Sequence, residues 1–269
     1  MPQKALVVLS GGQDSTTCLF WARAQGWDVE AVTFDYGQRH YREIGSARKI
    51  ASIFGLVEGE THHVVSLGAG ILKGTSPLVS GAELEQYKDH ASLPGGLEKT
   101  FVPMRNQLFL TVAANRAYVT GARKLVTGVC EEDFGGYPDC RQVFIDALQC
   151  ACNTGTFTGE DGALEALTIH TPLMKLTKKA TVDLALELPG CYNALAHSHT
   201  AYDGQYPPLG KDHATLLRAK GFEEADVPDP LVLRAYAEGR MPLPKSNNYR
   251  MSKVAYYGDM LDHKLFETA

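Results

Sequence analysis

KALVVL (residues 4–9) runs without a break into SGGQDST (residues 10–16), and the reading of that junction decides the fold. Five apolar residues in a row after Lys4 suit a strand buried on both faces. The paired glycines let the backbone approach an anion and adopt conformations closed to other residues. A helix starting immediately afterwards aims its amide groups and the positive end of its dipole at phosphate. Ser10, Ser15 and Thr16 add hydroxyls. Asp14 would repel phosphate unless a divalent cation stood between them, so its presence points to Mg²⁺. The loop does not end in Gly-Lys-Ser/Thr and is therefore not a Walker loop. The plain alternative is a Gly-Gly turn capped by Asp and Ser, and the strand before the loop and the alternation after it weigh against that.

Working outward, strands are expected over Lys4–Leu9, Val29–Asp35, His62–Ser66, Lys124–Gly128 and Leu167–His170. Helices are expected over Ser15–Gln25, Tyr41–Phe54, Gln107–Tyr118, Gln142–Ala151 and Thr177–Leu186. This alternation implies an α/β fold: a doubly wound, mostly parallel sheet with right-handed crossovers and helices on both faces. Ligands in such folds sit beyond the carboxyl ends of the strands. Gly68–Lys99, rich in Gly, Ser and Pro, is too long for an ordinary connection and reads as an insertion, lid or interface arm. The expected organisation is a phosphate-binding α/β domain over residues 1–190, with that insertion. A helical C-terminal lobe over residues 191–269 packs on it, its tail after Pro228 built of short helices and turns.

The 269 residues carry a net charge of −5, which gives no bulk reason to expect direct binding to nucleic acid. No apolar run approaches the roughly 18–20 residues of a membrane span, and the N-terminus lacks a cleavage signal, so a cytoplasmic location is expected. The six cysteines form no C-x-x-C pair and read as buried thiols in a reducing compartment. His63, His90 and His263 stand outside any motif.

The SGGxDS loop resembles the PP-loop superfamily (adenine nucleotide alpha hydrolase-like), whose members cleave ATP between the α- and β-phosphates. Four further segments are similar to one family within it, the QueC 7-cyano-7-deazaguanine synthases: FDYGQRH (34–40), TFVPMRNQLFL (100–110), TGVCEEDFGGYPDCR (127–141) and IHTPLMKLTK (169–178). The resemblance runs from about residue 4 to residue 235, in the family's order and spacing. It implies an ATP-dependent ligase that adenylates 7-carboxy-7-deazaguanine, passes the acyl group to ammonia, and converts the amide with a second ATP to the nitrile, for queuosine and related pathways. ATP would be bound by Leu9, Ser10, Gly11, Gly12, Gln13, Asp14, Ser15, Thr16 and Phe34. Asp14, Arg105 and Lys178 would be catalytic. The base would be held by Asn106, Glu132, Asp133, Tyr137, Asp139 and Arg141. The chemistry of those side chains is compatible. Carboxylates accept from a guanine-like N–H edge, Phe134 and Tyr137 offer rings, and Arg141 and Arg105 offer forks for carboxylate or phosphate. His40 falls inside a matching segment without an assigned role. Family precedent suggests a homodimer, and no glutaminase-like segment accompanies the site, so free ammonia or a partner would supply the nitrogen.

The chain departs from the family in one place. Members usually carry a Cys₄ zinc site late in the chain, and the four ligand positions here are Ala201, Leu209, Asp212 and Thr215. Ala and Leu cannot coordinate zinc, and Thr rarely does, so zinc is expected to be absent and Tyr202–Arg218 to be held by packing. His197, His199, Asp212 and His213 offer an alternative set of ligands. Cys191 lies outside the pattern and reads as a loop cysteine. Loss of the zinc site allows a second reading, a paralogue that adenylates the same acid but transfers it to another amine, on a protein or nucleic acid, as in anti-phage defence. A third, an inactive nucleotide-binding module, would require erosion of SGGQDS, Arg105 or Lys178, and all are present.

Overall fold

A computed structural model describes residues 2–37, 42–68, 70–72, 101–131, 137–157, 166–201, 204–208, 210 and 212–261. Most of the Gly68–Lys99 segment, along with His40, His90, Glu132, Asp133, Phe134, Leu209 and His263, lies outside the described residues.

Five strands form one sheet: β1 (Lys4–Val8), β2 (Asp28–Asp35), β3 (His62–Ser66), β4 (Lys124–Val126) and β5 (Thr168–His170). Their spatial order is β3-β2-β1-β4-β5, and every neighbouring pair is parallel. The side-chain alternation of a strand sorts the core into two layers. Val7, Leu9, Val29, Ala31 and Val126 face one side, while Leu6, Val32, Phe34, Leu125 and Ile169 face the other.

On the second side lie α3 (Arg105–Thr120) and α4 (Gln142–Cys152), bringing Leu110, Ala113, Ala117, Ile145 and Leu148. The first side receives α1 (Gln13–Ala24), α2 (Arg42–Phe54), α5 (Lys178–Glu187), α6 (Cys191–Leu195), α7 (His213–Glu224) and α8 (Pro230–Ala237). Phe20, Ile50, Val182, Leu195, Phe222 and Leu233 from these helices share one buried cluster, which also takes in Leu261 beyond α9 (Met251–Asp259). The all-parallel sheet needs both faces covered, and the C-terminal helices supply much of one cover. Among the described residues, no helix is long and apolar enough to cross a membrane.

Strand order reverses between β1 and β4, so the crevice beyond their carboxyl ends is the topological switch point. The loop after β1 carries SGGQDS, and the loop after β4 begins with Thr127 and Gly128.

Two cysteine expectations need correction. Cys191 is the first residue of α6 and wholly buried, because α6 packs against α1 through Cys18 and its neighbours. Cys150 is exposed and Cys152 half-buried, since α4 turns only Ile145 and Leu148 fully inward.

Candidate functional site

The glycine loop is built by close approach. Gly11 has φ +86°, and a Cβ there would lie 2.5 Å from the Glu43 carbonyl and 2.8 Å from the Ala47 nitrogen, so only glycine lets the loop rest on α2. A Cβ on Gly128 would lie 3.1 Å from the Asp14 carbonyl carbon and the Ser15 nitrogen, so the chain leaving β4 passes directly against the loop. Gly12 caps α1 without a side-chain bond, and the first-turn amides have no intrahelical acceptor.

The hydroxyls brace the loop from within. Ser10 Oγ and Ser15 Oγ are 3.0 Å apart, Ser15 Oγ donates to the Gly12 carbonyl at 3.2 Å, and Thr16 Oγ1 donates to the same oxygen at 2.7 Å. Leu9 backs the loop, with its nitrogen bonded to the Val32 carbonyl (2.8 Å) and its carbonyl accepting from Thr33 Oγ1 (2.7 Å). Phe34 is buried with its ring stacked on Phe109 at 4.8 Å.

Two polar atoms of this loop are buried without a hydrogen-bond partner: Gln13 Nε2, a donor, and Asp14 Oδ1, a carboxylate oxygen. Orphaned buried polar atoms are costly and uncommon. A donor beside an acceptor is the pair that a phosphate oxygen and its counter-cation would satisfy. The other oxygen, Asp14 Oδ2, accepts from Lys178 Nζ at 2.8 Å. Lys178 opens α5, whose N-cap Thr177 accepts from the Ala180 nitrogen. A cation at a helix N-terminus opposes the dipole, so Asp14 offsets a misplaced charge until an anion can do so. Gly221 of α7 lets that helix cross here, since a Cβ on it would lie 2.8 Å from Lys178 Cβ.

A second group gathers at the start of α3. Met104, its N-cap, has φ +66°, a region non-glycine residues rarely occupy. Arg105, next in the chain, acts on three ionisable groups from other elements. It hydrogen-bonds the Tyr36 phenol, whose pKa burial pushes up against the pull of Arg105. The half-buried Glu43, at the start of α2, has its carboxyl pushed by burial to about 7, with Arg105 again opposing. Burial likewise raises the Asp139 carboxyl, opposed by the Asn106 backbone bond and by Arg105. Asn106 ties α3 to the loop after β4, its nitrogen donating to Asp139 Oδ2 at 3.3 Å and its Nδ2 to the Asp139 carbonyl at 3.4 Å. Tyr137 lies against Phe101 with ring centroids 5.2 Å apart. Arg141 is exposed at the N-cap of α4, where its carbonyl receives the Phe144 and Ile145 nitrogens.

The fold thus brings Asp14 and Lys178 into contact and, at the start of α3, joins Arg105 and Asn106 to Asp139. Tyr137 packs on Phe101, and Arg141 is the N-cap of α4. Sequence reasoning missed Glu43. It sits just past FDYGQRH, and no spacing announced it.

Ala201, Asp212 and Thr215 are held by contacts within the chain. Ala201 is fully buried and its carbonyl lies 2.9 Å from His199 Nε2. Asp212 is the N-cap of α7, with Oδ1 accepting from the Thr215 nitrogen (2.9 Å) and Oδ2 bonded to Thr215 Oγ1 (3.1 Å). Among the described residues, no group of three or more His, Cys, Asp or Glu side chains is placed to hold a metal. Ala201 offers no side-chain ligand, and the Asp212 and Thr215 side chains bond each other.

A family model described as "Queuosine biosynthesis protein QueC" matches residues 4–226. A 7-cyano-7-deazaguanine synthase from Gloeobacter violaceus is 52% identical over 231 residues, covering 85% of this chain and 95% of the relative. Similar proteins of that name from Chromobacterium violaceum (50% identity; 88% and 97% covered) and Laribacter hongkongensis (45%; 87% and 96%) align over comparable lengths.

Proposed function

This chain belongs to the QueC family, and from that premise we propose that it is an ATP-dependent 7-cyano-7-deazaguanine synthase, acting on 7-carboxy-7-deazaguanine, ammonia and ATP. The observation that carries the proposal is the glycine loop at the switch point, with Lys178 Nζ 2.8 Å from Asp14 and two buried polar atoms lacking partners.

The amides at the start of α1 and Gln13 Nε2 receive phosphate oxygens. Asp14 Oδ1 would hold Mg²⁺, which supplies neutralising charge to the phosphates when bound. Lys178 then leaves Asp14 for the α-phosphate or departing pyrophosphate, stabilising charge that develops there. The substrate carboxylate attacks the α-phosphorus and the bond to the β-phosphate breaks. Ammonia adds to the acyl carbon, AMP leaves with the bridging oxygen, and a proton passes from nitrogen to solvent. In the second round the amide oxygen takes the adenylyl group. Loss of AMP and of the two remaining N–H protons leaves the nitrile. Arg105 is suited to hold the substrate carboxylate, while Tyr137, Asp139 and Arg141, with Glu132 and Asp133, hold the base. Two copies of the chain associate as a homodimer.

Mass spectrometry of a reaction containing protein, 7-carboxy-7-deazaguanine, Mg·ATP and ammonium tests this. The nitrile with AMP is expected. Accumulation of an adenylate or amide that proceeds no further would transfer support to the paralogue that serves another amine.

A further inference from the structure

The guanidinium of Arg218 in α7 is almost fully buried and all five of its N–H donors are used. Nε and Nη2 hold the two Asp229 oxygens at 2.6 and 2.8 Å. Nη1 donates to Ser198 Oγ at 2.7 Å and Thr200 Oγ1 at 2.9 Å, and Nη2 also reaches the Leu195 carbonyl at 3.3 Å. The residue between the two hydroxyls is His199. Its nitrogen donates to the Gly11 carbonyl at 2.8 Å, and its own carbonyl lies 3.5 Å from where a Gly12 Cβ would stand. Gly11 rests on α2 from the other direction, through Glu43 and Ala47.

From this geometry we infer that Arg218 is a positioning residue for the nucleotide: it clamps both neighbours of His199 and so presses the 198–200 segment onto the glycine loop. One turn further along α7, Gly221 packs against Lys178, so the same helix sets both the anion loop and the cation facing it. α7 itself starts at the Asp212–Thr215 cap. A planar fork with five fixed donors suits this task, and a lysine could not satisfy the same acceptors.

The inference rests on the loop being the ATP site, and its test separates the two. Ser198→Ala/Thr200→Val removes the acceptors of Nη1 but leaves the pair with Asp229. Binding of a non-hydrolysable ATP analogue with Mg²⁺ is measured by calorimetry, alongside KM for ATP and kcat. The expected result is a Kd and a KM for ATP each raised about tenfold, with kcat at saturating ATP nearly unchanged. Arg218→Lys should shift KM in the same direction. Unchanged Kd and KM in the folded double variant would overturn the clamp, as would a loss confined to kcat. A wild-type chain that does not bind the analogue would overturn the ATP reading and the clamp together.

Discussion

The glycine loop and the segment that clamps it differ in how completely their polar atoms are satisfied. In the loop, Gln13 Nε2 and Asp14 Oδ1 are buried without partners, and Lys178 stands at the wrong end of a helix dipole. Behind the loop, Arg218 spends every donor on Asp229, Ser198, Thr200 and Leu195, and Asp212 spends both oxygens on Thr215. The first region holds charges and dipoles in an arrangement that a ligand must complete. The second spends the donors of Arg218 and the oxygens of Asp212 within the protein and supplies rigidity. A preorganised site needs both, because dipoles aimed at developing charge are effective only when their supports do not move.

If that division holds, substitutions in the two regions fall on different observables. Asp14→Ala should lower the rate of AMP formation by roughly 10²–10³-fold, while the melting temperature stays within a few degrees of wild type. Full activity would break the assignment of the loop. Arg218→Met should lower stability as well as raise KM for ATP. It leaves Asp229 charged and buried without its partner, a loss of about 3–5 kcal/mol, which lowers Tm by roughly 6–20 °C. An unchanged Tm would show that the network is dispensable.

Glu43 sharpens the contrast, because it belongs to the unsatisfied side. Its carboxyl is held at about 7 against an ordinary value of 4.5, so the fold favours the protonated form. The resulting penalty is absent below about 4.5, grows between the two values, and is complete above about 7. Glu43→Gln should therefore raise Tm by a few degrees at pH 8 and leave it unchanged at pH 4.5, as scanning calorimetry at the two pH values would show. Smaller again is Asp212→Ala, which removes the α7 cap at about 1 kcal/mol, or roughly 2–4 °C in Tm. No effect at all is expected from chelation. Purified protein should contain no stoichiometric zinc, and EDTA should leave Tm where it was. One zinc per chain would overturn the reading of Ala201, Asp212 and Thr215.

Much of this was legible in the sequence where chemistry and local structure occupy one contiguous stretch. KALVVLSGGQDST declares a strand, a close-approach turn and a helix start, and β1 and α1 lie there within one or two residues of expectation. The parallel sheet followed from the alternation of apolar strands with helices, because the two periods are distinct. What was hidden arises from distant parts of the chain meeting. Lys178 and Asp14 are 164 residues apart, and nothing local states that they touch. Arg218 read only as the end of the Tyr202–Arg218 stretch, since a buried arginine and a surface one look alike in sequence. The shift at Glu43 comes from burial, against the pull of Arg105, and neither is a property of its neighbours in the chain. The missing cysteines were plain, but the capping role that Asp212 and Thr215 assume in α7 was not.

The central claim, that this loop directs attack at the α-phosphorus for nitrile synthesis, is tested most directly by nucleotide stoichiometry. Wild-type enzyme is supplied with 7-carboxy-7-deazaguanine, ammonium and Mg·ATP, and nucleotides and deazaguanines are quantified by chromatography over one time course. Two AMP and two pyrophosphate per nitrile is the expected result. Formation of ADP and phosphate, or no nucleotide cleavage in the presence of the acid, would contradict it.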